Sequence, residues 1–497
     1  LIVTKKFKII DEDFKLSCPT NSSGIINSDI LCGSSKNSDS TAASDETGRG
    51  TRTKPFASIE RATHEFNDRT KDYEIYIKGT ASGFQTISSD VGNQDDSTYK
   101  ANSIKLEPVP DPDNPGTESA TLEGSSTGSG SVLTINTPLT VTIENLNITG
   151  GKKKDSTEVN GLGVRINAGT VKLGDGVKIY GNIGTYSGAY GGGVYVEAGA
   201  RLFMYGTALI GVDKDTGTRP TGSGDASNYS TYGGGIYNAG STWLGYDTEF
   251  HKTELTGGIN CNASKSGGGA ITSQGTDTSN AKLYISGTNI CHNFSSSHGG
   301  GIFLKYTDLI IEDSLINDNC SGTTTDTDGG GISIWDKNYV TLENVEISEN
   351  EATYGGGVSL GNSGIDTLNN TVIMKSGTII KNNIARKNGG GVVIENTSTG
   401  NSNNFTMEGG FISGNQAVKN GGGIYNKSTL NLKGGTIGKT STDEDWNKAT
   451  DDSGKGGAIY QEGTCTMEGD IYVPFGYKER INDVYLSSDI KLTGDLT

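Results

Sequence analysis

The chain has 497 residues, of which 75 are glycine and only 9 proline. Glycine is about twice as frequent as usual but lacks collagen's three-residue period, so neither a collagen rod nor a proline-rich linker fits. A formal net charge of −17 argues against nucleic acid as a partner, since phosphate contacts need clustered Lys and Arg. It also argues against simple adsorption on anionic membrane, and no apolar run reaches the roughly 18 residues of a membrane span.

Residues 1–50 read as an amino-terminal extension. Leu1 to Ile10 is a strand candidate detached from the rest of the chain, able to pair with another molecule's edge. A Ser/Asn/Asp/Thr-rich segment then reads as loop. The chain opens on Leu1-Ile2-Val3 without Met or a signal peptide, which reads as a portion of a longer precursor. Residues 51–80 differ: Pro55-Phe56 leads into a run from Ala57 to Phe66 with Ile59, Ala62, Thr63 and Phe66 at helical spacing. A helix here would plug the open end of a stack of coils, with Glu74-Ile75-Tyr76-Ile77 as the first strand. Residues 81–160 hold irregular segments, including an acidic, Pro-rich loop from Pro108 to Pro115.

Residues 161–497 repeat one phrase, a glycine triplet followed at once by an aliphatic strand. It runs GGGVYV at 191–196, GGGIYN at 233–238, GGGAIT at 267–272, GGGIFL at 299–304 and GGGISI at 329–334. It continues as GGGVSL at 355–360, GGGVVI at 389–394, GGGIYN at 421–426 and KGGAIY at 455–460, after a degenerate GLGVRI at 161–166. A period of about 33 residues implies stacked supersecondary units, not one globular core. Residues such as Val194 and Val196, or Ile332 and Ile334, alternate with period two, which marks a strand with one buried face. A second run follows, such as Leu202-Phe203-Met204 or Leu430-Asn431-Leu432. A third ends in Ile-x-x-Asn and supplies Asn182, Asn262, Asn293, Asn319, Asn350, Asn383 and Asn415. Three strands and three turns per coil make a single-stranded parallel β-helix. It is all-β, with about a dozen coils, a rod on the order of 60 Å long and one continuous domain over 51–497 capped at 51–80. The stack ends in Val484-Tyr485-Leu486 and Ile490-Lys491-Leu492.

Glycine suits such corners because it reaches positive φ without steric cost, and coils about 4.8 Å apart leave no room for bulk. Asparagine tolerates left-handed geometry, and its amide can bond the equivalent amide one coil on. Both motifs therefore have a structural reading first. Of six cysteines, Cys18 and Cys32 could staple the extension. Cys261, Cys291 and Cys320 fall beside Asn262, Asn293 and Asn319, and should occupy neighbouring positions on three coils, as a disulfide or as stacked free thiols. Cys465 stands apart, and no zinc or redox spacing is present.

The Gly-Thr-x-x-x-Pro-Phe-x-Ser-Ile-x-x-Ala stretch at 50–62, with the Ile-x-Ile-x-Gly-Thr strand at 75–80, resembles the amino-terminal cap of pectate-lyase-like right-handed β-helices. Gly268-Gly269-Ala270-Ile271 and Gly456-Gly457-Ala458-Ile459 are similar to the tetrapeptide of polymorphic outer membrane proteins, which are autotransporter-type adhesins. That family pairs it with Phe-x-x-Asn, whereas this chain uses Ile-x-x-Asn. Glycine-rich surface repeat proteins of spirochaetes look alike as well. The resemblance, over roughly 50–497, implies a right-handed helix and a bacterial surface or extracellular location.

No catalytic group is expected. The pairs Asp95-Asp96 and Asp451-Asp452 lie far apart, and His64, His251, His292 and His298 do not recur at the repeat spacing. No cofactor is expected either. Asp213-Lys-Asp215 and Asp326-Thr-Asp328 offer carboxylates that suit calcium, but neither continues to a distal glutamate. The second residue after each triplet should point outward, giving a column of Tyr195, Tyr237, Ile271, Phe303, Ser333, Ser359, Val393, Tyr425 and Ile459. Tyr195, Tyr237, Phe303 and Tyr425 are its candidate ligand-binding aromatics, for a glycan or protein of a host or neighbouring cell; ordinary stacking between coils is the competing reading. The expected role is a non-catalytic, secreted or cell-surface bacterial adhesin or scaffold. The alternatives are a filament or sheath subunit assembling through residues 1–10 or the helix ends, and a polysaccharide lyase or glycoside hydrolase.

Overall fold

A computed structural model of the chain describes residues 29–33, 57–64, 72–88, 102–110, 119–156, 159–322, 326–361, 369–396, 402–438, 446–474 and 481–496. The strand candidate at 1–10, Cys18, Phe66 and Asp95-Asp96 lie outside them. The described chain is a parallel β-helix. Its strands form a 37-stranded sheet and a separate 10-stranded sheet, in which each strand pairs in parallel with its counterpart one coil away. Among the described residues the only antiparallel pair of strands is a small hairpin, Tyr246–Thr248 with His251–Lys252.

One coil shows the plan. Ile302–Lys305 forms the first strand, Thr307–Glu312 the second and Leu315–Asn317 the third. Asn319 then turns the chain into a two-residue fourth strand, Cys320–Ser321. Register is kept rung by rung: Ile302 pairs Ile332, which pairs Val358, and Ile316 pairs Ile347, which pairs Ile380. The fourth strand revises the expectation of three. Two residues are too few to show a period in sequence, but repetition from Lys152–Lys153 to Lys448–Ala449 gives the fourth strands a 10-stranded sheet of their own.

The inward aliphatics merge into one core running from Ile59 to Cys465. Burying each such Ile or Leu is worth about 1.5–3 kcal/mol, so the narrow core gains strength by length. At the amino-terminal end a single helical turn, Ile59–Thr63, replaces the longer helix expected over Ala57 to Phe66. Ser58 caps it by accepting from Arg61 N, and Ile59, Ala62 and Thr63 are buried. The main-chain N–H of Ile59 donates to Gln85 Oε1 at 2.9 Å, fixing the turn to the stack. Asp29–Gly33, in the segment read as loop, forms a strand paired in parallel with Glu74–Lys78.

Each position of the triplet has its own reason to be glycine. The first adopts positive φ, 61° at Gly299 and 62° at Gly355. At the second, backbone passes against the fourth strand of the following coil: a Cβ on Gly356 would fall 2.6 Å from the carbonyl oxygen of Ile384. The third is looser, with a Cβ on Gly357 2.7 Å from the Gly391 carbonyl oxygen and 3.1 Å from Asn383 Nδ2. Within the triplets alanine occurs only at this third place, as Ala270 and Ala458, both fully buried.

Candidate functional site

The outward column exists, with two corrections. Because Ala270 and Ala458 hold the third glycine position, Ile271 pairs Ile236 and Ile459 pairs Ile424, both facing the core. Thr272 and Tyr460 take their places, and the column reads Tyr195, Tyr237, Thr272, Phe303, Ser333, Ser359, Val393, Tyr425, Tyr460 and Tyr485. The second correction concerns exposure. These rings point away from the core, yet Tyr195 and Tyr237 are 8% exposed, Tyr425 5% and Phe303 3%.

Stacking covers them. Tyr195 lies face to face with Tyr237 at 5.4 Å between ring centres, and Tyr425 with Tyr460 at 5.0 Å. A second column, just before the triplets, closes the corner from the other side. Tyr190 stacks on Tyr232 at 5.6 Å and meets Tyr237 edge-on at 5.0 Å. The corner between fourth and first strands is thus filled by its own side chains. Aromatic pairs of this kind add about 0.5–1.5 kcal/mol each beyond their buried area.

At the middle of this corner lies a polar cluster that no sequence period announces. Asp328 is 1% exposed, and neither carboxylate oxygen has a hydrogen-bond partner. His298 Nδ1 stands 3.4 Å from Asp328 Oδ2, an ionic neighbour at a distance too long and poorly aimed for a hydrogen bond. Trp335 reaches across the small Ser333 to meet His298 edge-on at 4.6 Å and Phe303 at 5.1 Å. Ser333 Oγ and Trp335 Nε1 are also buried without partners. Burial pushes the Asp328 carboxyl above the usual range, His298 pulls it back, and Asp326 pushes the same way as burial. Glu395 is raised by burial too; Lys427 opposes and Asp328 reinforces the shift. Nothing recurs at 298, 328 and 335 from coil to coil, so only the fold brings them together.

The asparagines form a continuous ladder inside the corner between third and fourth strands. Through Asn182, Asn228, Asn262, Asn293, Asn319, Asn350, Asn383, Asn415, Asn447 and Asn482, each but the last donates from Nδ2 to the next Oδ1, at 2.8–3.2 Å. The same nitrogen donates to a main-chain carbonyl of the coil before, as Asn319 Nδ2 does to Ile290 O at 2.9 Å. Asn228 and Asn447 lack the Ile-x-x-Asn signature because longer segments separate them from Ile210 and Ile437. Asn482 also follows a longer segment, and Ile471 before it pairs Gly435, two residues short of Ile437's place. A second, mixed ladder passes through the corner between first and second strands. There Thr307 N donates to Asn338 Oδ1, Asn338 Nδ2 to Asn370 Oδ1, and Asn370 Nδ2 to Asn403 Oδ1. Its irregular spacing and composition hid it.

Two insertions lie on the outside of the upper coils. Tyr246 of the hairpin packs on a second aromatic stack, Phe203 on Trp243 at 4.7 Å and Trp243 on Tyr284 at 5.4 Å. Ion pairs Arg201–Glu249 and Lys252–Glu312 tie the hairpin down. The loop of residues 212–227 covers Ala263, Phe294 and Cys320, and its Arg219 donates to Asp318 Oδ1 at 2.9 Å. Arg219 also faces Glu351 at 3.6 Å, and Glu351 pairs with Arg386 at 2.9 Å. His292, in a turn at φ 57°, meets Asp318 Oδ2 at 2.7 Å, and that contact raises its pKa above the ordinary histidine value.

The acidic turns do not converge. Asp213 accepts from the Asp215 N–H, Asp215 pairs with Lys214 at 2.6 Å, and Asp326 pairs with Lys387 at 3.3 Å. Among the described residues no three metal-ligating side chains gather. Cys261, Cys291, Cys320 and Cys465 are free and buried. The first three do not share a column: Asn260 is the partner of Cys291, while Cys320 sits on the fourth strand opposite Phe294. Burial pushes the Cys261 thiol up to about 12 and the Cys291 thiol to about 11, which makes both inert. No described helix is long and apolar enough to cross a membrane. Compared with protein-family models, with curated proteins and with solved structures, the chain shows no significant match.

Proposed function

We propose that this protein is a non-catalytic, extracellular or cell-surface β-helix that acts in adhesion or as a scaffold, engaging protein or glycan of a host or neighbouring cell. The observation that carries this reading is the unbroken register from coil to coil, which makes long flanks of aligned side chains. In two consecutive lower coils Phe411, on a third strand, and Ile384 and Val418, at fourth strands, stand 48%, 46% and 39% exposed on the two sides of the asparagine-ladder corner. Exposed apolar groups along a rigid edge suit a broad, shallow contact. The corner aromatics Tyr195, Tyr237, Phe303 and Tyr425 belong to the framework in this reading. Binding of the purified chain to glycan arrays and to bacterial and host cell surfaces tests it. Ile384→Ser with Phe411→Ser should abolish capture and leave the far-ultraviolet spectrum unchanged. Capture undiminished by that pair, or no capture by the native chain, overturns the reading.

A polysaccharide-degrading role is the competing reading, and the buried carboxyls Asp328 and Glu395 are its structural foothold among the described residues. Uronate polymers incubated with the chain, with and without calcium, decide the point: new unsaturated or reducing ends would favour it.

A further inference from the structure

We propose that this chain folds only where asparagine-linked glycosylation does not occur, because four acceptor sequons coincide with buried rungs of the long asparagine ladder and a fifth with a buried asparagine, Asn426, at the corner between first and second strands. The sequons are Asn228-Tyr-Ser230, Asn262-Ala-Ser264, Asn293-Phe-Ser295 and Asn319-Cys-Ser321 on four consecutive coils, with Asn426-Lys-Ser428 further on. Their coincidence has a structural cause. The ladder requires Asn, the next residue points outward, and the one after faces the small space at the fourth strand, where serine fits: Ser230, Ser264, Ser295 and Ser321 are all fully buried.

The glycan and the ladder compete for one atom. Transfer joins Asn Nδ2 to C1 of a lipid-linked oligosaccharide; the C1–O bond to pyrophosphate breaks, the lipid pyrophosphate leaves, and Nδ2 loses one proton. In the folded chain Asn293 Nδ2 donates to Ile259 O at 2.9 Å, Cys291 O at 3.0 Å and Asn319 Oδ1 at 3.0 Å. Asn228 Nδ2 donates to Ile179 O and Asn262 Oδ1, and Asn426 Nδ2 to Gln461 Oε1 and Thr464 O. All five asparagines are 0% exposed, so a sugar on any of them has no path to solvent. A bulky surface modification placed there before the coils close would prevent closure. The folded chain is itself protected, which confines the conflict to chains modified as they emerge.

The inference stands apart from the proposed function. It is tested by directing the chain into a eukaryotic secretory pathway, with and without a block in synthesis of the lipid-linked donor. Without the block, peptide mapping should find sugar on Asn228, Asn262, Asn293 or Asn319, and the product should be aggregated or protease-sensitive. With the block, the protease-resistant form should return. A variant with Ser230, Ser264, Ser295, Ser321 and Ser428 each changed to Ala should escape modification at the ladders and fold without the block. Three outcomes overturn the proposal: native chain secreted folded with these asparagines bare, native chain modified there yet protease-resistant, or misfolding that persists under the block.

Discussion

The coils from Asn182 to Asn319 and those from Asn350 to Asn447 share one ladder and one register, but they differ on the outside. The upper coils wear a hairpin and a loop that cover Phe203, Trp243, Phe294 and Cys320. The lower coils leave Tyr339, Ile384, Phe411 and Val418 open. The difference points to the ladders, and not the insertions, as what defines the stack, since among the described residues the lower coils hold register with no strand or loop packed over these side chains. The insertions act as straps: Arg219 reaches Asp318 and Glu351, in coils well beyond its own.

The largest test of that division is common to both halves. Gly356→Ala should abolish folding or cost more than about 3 kcal/mol, since the added Cβ would be wedged between the carbonyl oxygens of Ile384 and Gly390. Gly357→Ala, which meets one carbonyl oxygen and takes a place that Ala270 and Ala458 hold in other coils, should cost no more than about 1 kcal/mol. Equal damage from the two, by chemical denaturation, would refute the three-part account of the triplet. Next, Asn350→Ala in the ladder's interior should cost about 3 kcal/mol, because several buried groups lose partners at once. A loss no larger than that of a surface substitution would show that the ladder is not what holds register.

Breaking a strap should be milder and local. Arg219→Ala should speed thiol labelling of Cys320, which the loop shields, and leave Cys465, deep in the lower core, unchanged. Equal acceleration at both would mean the halves open together. The smallest effect concerns pH. Asp328 has its pKa raised by burial, so its contribution to stability is complete below the unfolded value near 4 and is lost as pH rises through the elevated folded value. Asp328→Asn should therefore raise stability at neutral pH by on the order of 1 kcal/mol and flatten the decline in Tm as pH rises. An unchanged slope would assign the ionisation elsewhere.

The coil was legible because its constraints repeat. Period-two aliphatics such as Ile332 and Ile334, and Asn three residues after Ile, recur often enough to stand out of 497 residues. What did not repeat stayed hidden. Thr272 and Tyr460 were displaced from the outward column because a neighbouring glycine or lysine made the triplet seem to start one residue early. The fourth strand is in most coils two residues long. Trp335, His298 and Asp328 meet because three coils stack, a relation that no single repeat contains. Exposure was misread for a similar reason: Tyr195 points outward, but its neighbour one coil away covers it.

The loop of residues 212–227 enters where most coils place two residues, between the third strand and the ladder asparagine. On either side of it Ile179 still pairs Ile210, and Ile183 still pairs Tyr229. That corner is a doorway through which foreign peptide can be threaded without disturbing the threads of the screw. An epitope grafted between Ile380 and Asn383 should be displayed at a fixed height, and grafts in successive coils should form a ruler graduated by the strand spacing of about 4.8 Å.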